Sequence, residues 1–129
     1  MAGFVVAIAI GNGAALGTGT LTFTNGDLLG TATETFANAI NLSTSGSTTT
    51  FAAATGTTLH VTGGITYAGD NFVDIGAPGQ DGEVLWGASP AGNNVGDTFD
   101  VLDGTLTAAN SNLGIALDAI TGTTVGSLV

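Results

Sequence analysis

No stretch of this chain holds one hydrophobic period for long. Apolar positions alternate with Thr, Asn or Asp over a few residues and are then cut by Gly, Asn, Asp or Ser. A helix bundle needs an apolar stripe recurring every three or four residues across ten or more, and this pattern does not supply one. The best helical stretch, Ala108 to Ile120, is interrupted by Asn110-Ser111-Asn112 and by Gly114. The runs read instead as short strands: Phe4–Ile10, Thr20–Thr24, Glu34–Leu42, Thr48–Ala52, Thr58–Val61, Ile65–Tyr67, Phe72–Ile75, Glu83–Trp86, Thr98–Leu102, Thr105–Ala108 and Ile115–Ala119. Turn residues fall between them at Asn25-Gly26-Asp27, Ser45-Gly46, Thr55-Gly56, Gly63-Gly64, Pro78-Gly79-Gln80-Asp81-Gly82, Ala91-Gly92-Asn93-Asn94 and Asp103-Gly104.

The runs carry a degenerate repeat. Gly-Thr is followed within two residues by Leu at Gly19-Thr20-Leu21, Gly56-Thr57-Thr58-Leu59 and Gly104-Thr105-Leu106. A Thr-Phe pair recurs at Thr22-Phe23, Thr35-Phe36, Thr50-Phe51 and Thr98-Phe99. Thr50-Phe51 to Gly56-Thr57 and Thr98-Phe99 to Gly104-Thr105 share one internal offset and lie forty-eight residues apart. That distance suits two coils of about twenty-four residues, within the range of solenoid repeats. The fold expected is all-β, a right-handed parallel β-helix of about five to six coils, each stacking ~4.8 Å above the last. Leu21 and Phe23, Ile40 and Leu42, Leu59 and Val61, and Phe99 and Val101 would point inward, with Thr and Asn outward. The rival is a β-sandwich, in which Asn25-Gly26 and Asp103-Gly104 would close hairpins with type I′ turns. The chain of 129 residues is read as a single solenoid segment spanning 1–129, with 1–16 as an apolar terminal strand or cap.

Charge narrows the function classes. There is no Lys, Arg or Cys, and ten carboxylates give a formal charge of −10. Nucleic-acid binding requires cations to displace counterions, so that class is excluded. Anionic membrane surfaces would repel the chain. Phe4–Ile10 is too short to span a bilayer, and Met1-Ala2-Gly3 lacks the basic start of a signal peptide. Hydrophobic residues make up 43% of the chain, which places it outside the disordered class.

Gly11-Asn12-Gly13-Ala14-Ala15-Leu16-Gly17-Thr18-Gly19-Thr20-Leu21-Thr22-Phe23 resembles the passenger regions of bacterial autotransporters and related β-helical surface proteins. So do Phe36-Ala37-Asn38-Ala39-Ile40-Asn41-Leu42, Thr49-Thr50-Phe51 with Gly56-Thr57-Thr58-Leu59, and Val101-Leu102-Asp103-Gly104-Thr105-Leu106-Thr107-Ala108. The resemblance implies a secreted, cell-surface passenger segment acting as a stalk or adhesin, with a surface receptor or glycan as partner. No translocator barrel follows, so the chain reads as a passenger fragment or an independently encoded segment.

Catalytic constellations are sparse. His60 alternates with Leu59 and Val61, which turns it outward, and it has no second His or Cys for a metal. A Ser–His–Asp triad would have to unite His60 with Ser43, Ser45, Ser47 or Ser89, and no nucleophile elbow is present. Asp70, Asp74, Asp81 and Glu83 form one acidic group in the sequence and Asp97, Asp100 and Asp103 another, the arrangement from which a glycosidase would be built. Asp70, Asp74, Asp81 and Glu83 in Gly-rich loops are also weak calcium candidates, without EF-hand or nonapeptide spacing. Tyr67 and Trp86 could stack sugars, although Trp86 shares the inner face with Val84. The expectation is therefore a non-enzyme without cofactor. The alternative is a self-assembling subunit of an extracellular filament, surface layer or phage coat, forming a homo-oligomer through apolar end coils.

Overall fold

The computed structural model describes residues 7–87, 98–108 and 127–128. The strands in order are β1 (Ala7–Ile10), β2 (Leu21–Phe23), β3 (Gly26–Gly30), β4 (Glu34–Phe36), β5 (Ile40–Leu42), β6 (Thr48–Val61), β7 (Ile65–Tyr67), β8 (Phe72–Ile75), β9 (Asp81–Trp86), β10 (Thr98–Val101), β11 (Thr105–Ala108) and β12 (Ser127–Leu128). Every strand pairing is parallel. Parallel neighbours cannot be joined by a hairpin, so each strand meets its partner one circuit later. The result is a β-solenoid of about four turns, with no helix among the described residues. The sandwich alternative is thereby excluded, and the five to six coils expected become about four.

The coil has three faces. The first carries β1, β3, the start of β6, β8 and β10. The second carries β4, the end of β6, β9, β11 and β12. The third carries β2, β5 and β7. Alternation within each strand sends one set of side chains inward, and the parallel register stacks them into columns. Ile8, Leu28, Phe51, Ile75 and Val101 form one column of the first face. Phe36, Val61 and Trp86 form one of the second, and Phe23, Leu42 and Tyr67 one of the third. The three faces meet in the middle through aromatic edges. Phe51 lies 6.0 Å from Phe23 and 5.2 Å from Trp86, both edge-to-face.

Leu59, Val61, Ile40, Leu42, Phe23 and Val101 are buried as the alternation requires, and Leu21 is partly so. The side chain of Phe99 and the strand expected at Ile115–Ala119 lie outside the described residues. Other readings are corrected. Glu34–Leu42 is two strands on two faces, because Asn38 turns the chain between them. Asn38 is buried, and its Nδ2 donates to the carbonyls of Gly17 (3.1 Å) and Gly19 (2.7 Å) in the coil before. Asn25-Gly26-Asp27 is no hairpin: Gly26 opens β3, where it is buried in the column of Thr49 and Val73.

Thr48–Ala52 and Thr58–Val61 belong to one strand that bends from the first face to the second. Residues 54–57 of β6 bulge there opposite Gly82 alone. Gly56 takes a φ of 74° to make the bend. A Cβ on Gly82 would lie 2.4 Å from the Ala54 carbonyl oxygen, so only glycine fits under the corner. The Thr-Phe pairs are not structural equivalents either. Phe23, Phe36 and Phe51 sit on three different faces, and Thr98 is in register with Phe72 and Thr48, not with Thr50.

Two substitutions test this register. Phe51→Ala removes the ring that joins the three faces and should cost about 3–5 kcal/mol in chemical denaturation. Thr49→Val should be neutral or stabilising, because the Thr49 hydroxyl is buried without a partner in an apolar column.

Candidate functional site

Polar chemistry on this molecule is set by the same columns. Asp27, Thr50, Asp74 and Asp100 occupy successive rungs on the outside of the first face. Neighbouring rungs are ~4.8 Å apart, so Asp74 and Asp100 are adjacent and Thr50 separates Asp74 from Asp27. The Asp74 carboxyl is pushed above the ordinary range by burial first, then by the charges of Asp100 and Asp27. No cation is available to relieve the row, since the chain has no Lys or Arg.

Two further acids are held by threonine hydroxyls. Glu83, on the outside of the second face, accepts from Thr58 Oγ1 (3.0 Å) and Thr107 Oγ1 (2.6 Å) on the strands flanking it. Asp81 accepts from Thr55 Oγ1 at the neighbouring corner. Asp103 accepts from the Gly104 amide at 2.9 Å. Asp70 lies at the corner between the third and first faces, where its carbonyl accepts the Gly46 amide at 2.6 Å. The calcium candidates Asp70, Asp74, Asp81 and Glu83 are thus distributed over two corners, the first face and the second face. Among the described residues no three His, Asp or Glu side chains come together as a metal group.

His60 lies on the outside of the second face in register with Thr35 and Leu85. Ser43, Ser45 and Ser47 precede β6 at the other corner, and Ser47 is buried, donating to Asn71 Oδ1 at 3.1 Å. The structure does not bring them to His60. Ser89 and Asp97 lie outside the described residues. Trp86 is buried in the core and offers no platform to a sugar. Tyr67 is partly buried against the same core. One shallow cavity is lined by Gly13, Ala14, Gly17, Thr18, Thr35, Ala37 and Asn38, and another by Ile8, Leu21, Phe23 and their neighbours. Neither contains a carboxylate.

Two polar features escaped the sequence reading. Asn38 and Asn71 are buried corner residues, and Asn71 Nδ2 donates to the Gly69 carbonyl at 2.6 Å. Glu34 shares the inward side of β4 with Phe36, and both of its carboxylate oxygens are covered and without a hydrogen-bond partner. Burial raises its pKa. The signal for Glu34 was its spacing, two residues before Phe36 on one strand. No protein family, curated protein or solved structure matches the chain.

Both resolved shifts are upward, so within the window just above the ordinary carboxylate range the folded chain holds more protons than the unfolded one. Their stabilising contribution is complete below that window and is lost as pH rises through it. Thermal unfolding should therefore move to higher temperature as pH is lowered from 7 towards about 5. Asp100→Asn should raise stability at neutral pH by about 0.5 kcal/mol, a small figure because the row is partly solvated. A melting point that falls steadily over the same pH range would contradict the assignment.

Proposed function

We propose that this chain is a non-catalytic surface-display segment of a secreted, autotransporter-like β-helical protein, serving as a stalk or adhesin passenger. The observation that carries the reading is the stacked parallel ladder with its outward columns of Thr, Asn and Asp. Such a ladder grows in length without new topology and presents long faces rather than an enclosed pocket. Composition agrees with an extracellular setting. Proteases that cut beside a basic side chain find no site in a chain without Lys or Arg. Glu83 is held by threonine hydroxyls from adjacent coils, in the Thr58–Glu83–Thr107 group, which suits solubility more than proton transfer.

A second reading is favoured by the N-terminal end of the solenoid. There Ile8 and Leu21 are only partly covered and border a shallow cavity with Phe23. A second copy stacked on this end would continue the β1 ladder and bury that apolar surface. Repulsion between subunits of charge −10 opposes it, so salt should promote such stacking.

Fusion to a bacterial translocator barrel tests the first reading. The solenoid should reach the cell exterior folded, and the cells should gain adhesion to glycan- or protein-coated surfaces relative to cells carrying the barrel alone. Exposed solenoid with unchanged adhesion would refute the adhesin role. Turnover of a polysaccharide by the pure chain, lost in Asp74→Asn, would refute the non-catalytic one. Light scattering across a salt series decides the second reading: a monomer at every salt concentration removes it.

A further inference from the structure

The second face has an unusual first rung. Its inner column reads Glu34, Leu59, Val84 and Leu106, so an acid occupies a position that is otherwise apolar. Leu59, Val84 and Leu106 are fully buried. Glu34 Oε1 lies 3.3 Å from the place where a Cβ on Gly30 would stand, and Leu59 lines the same spot at 3.2 Å. Gly30 therefore leaves the room that the carboxyl fills.

Among the described residues β4 has a strand partner on one side only, which is β6. No strand of the preceding coil covers its other side. Residues 11–19 cross there as turns, with Ala15 N donating to Asn12 O and Gly17 N to Ala14 O. This segment is tied down at named points. Gly13 is pressed so close to the Thr35 carbonyl that a Cβ would lie 1.7 Å from its oxygen. Leu16 packs against the core, and Asn38 holds the carbonyls of Gly17 and Gly19. The segment is a cap over an open strand edge, and the acid sits in the inner column of the strand it caps.

We infer that Glu34 makes this cap proton-controlled: the neutral carboxylic acid stays in the apolar column and lets segment 11–19 close over β4, whereas the carboxylate leaves the column for water and loosens the segment. A neutral acid can occupy an apolar site at modest cost, and a carboxylate without a partner cannot. No group on the packed elements offsets the charge. β1 and residues 11–19 carry no titratable side chain. Asp27 on β3 and His60 on β6 both face outward, away from the column. Glu83 on β9 is likewise outside and is bound to Thr58 and Thr107. Burial as the sole cause of the raised Glu34 pKa agrees with this surrounding. Opening the cap would expose an unpaired parallel edge at β4, the kind of edge that accepts a further strand.

Amide hydrogen exchange of the full chain between pH 4.5 and 7.5, normalised to the intrinsic chemical rate, tests the inference. The informative amides are Ala15 and Gly17, bonded to the Asn12 and Ala14 carbonyls within the cap, and Leu21, which follows the cap and is bonded to the Ala39 carbonyl of the next coil. Their protection should fall about three- to tenfold as pH rises. The Gly76 amide, bonded to Phe51 O in the middle of the solenoid, should not follow them. Glu34→Gln, a neutral mimic of the acid, should keep the cap protected throughout. Glu34→Leu, which completes the column, should do the same and serves if the Gln variant folds poorly. Asp74→Asn should leave the slope intact. A wild-type chain without the slope, Glu34 variants that retain it, or an Asp74→Asn chain that loses it would each overturn the inference.

Discussion

The parallel register is the constraint on which this molecule depends. Each side chain has as its nearest inter-strand neighbour the residue at the same place one coil away, ~4.8 Å above or below. A column of alike residues is therefore the normal state, and its consequence depends on chemistry. Leu28, Phe51, Ile75 and Val101 gain contact from it. Asp74 and Asp100 gain repulsion. Thr58 and Thr107 placed around Glu83 turn the same proximity into hydrogen bonds. Without a Lys or Arg anywhere in the sequence, threonine is the side chain that reconciles carboxylates with a stacked surface.

Much of this was legible in the sequence because alternation survives without tertiary context. Ile65–Tyr67, Phe72–Ile75 and Thr105–Ala108 are strands with the bounds that pattern alone suggests. The inward choice was legible as well, down to Trp86 beside Val84. Errors arose where a residue served a neighbouring coil rather than its own segment. Asn-Gly at 25–26 has the local signature of a hairpin turn. Gly26 is there because its column partners are Thr49 and Val73, and Asn25 Oδ1 accepts the Thr48 amide of the next coil at 3.1 Å. Asn38 interrupts an unbroken β-like run for the same reason, since its partners are carbonyls about twenty residues earlier. The Thr-Phe repeat misled because a pair of residue types can recur on different faces of a coil whose length varies.

The candidate site was less legible than the fold. The acids of the sequence group at 70–83 are near one another along the chain, yet the coil sends them to two corners and two faces. The pair that does meet, Asp74 and Asp100, is separated by a full circuit. Only the register reveals it, and the register depends on coil lengths that corner residues adjust. The bulge at 54–57 against Gly82 is one such adjustment. Glu34 is the opposite case. Its inward direction follows from Phe36 two positions on, but its consequence follows only from what lies above it.

The ends of a solenoid are where the stacking rule fails, because one neighbour is missing. In the middle coils an inward acid would face apolar side chains on both sides of its column. Glu34 has Leu59 on one side alone, and on the other β4 has no strand partner among the described residues. The loop 11–19, with Gly13 against Thr35 and Asn38 holding Gly17 and Gly19, covers the β4 edge. Coverage of this edge is by packing, and the protonation of Glu34 beneath it sets how firmly the loop closes. The apolar surface around Ile8 and Leu21 is part of the same end but belongs to the other faces, where β1 and β2 form the first rungs. Among the described residues β4 is covered by the turn segment, whereas β1 and β2 each pair with a strand on one side only.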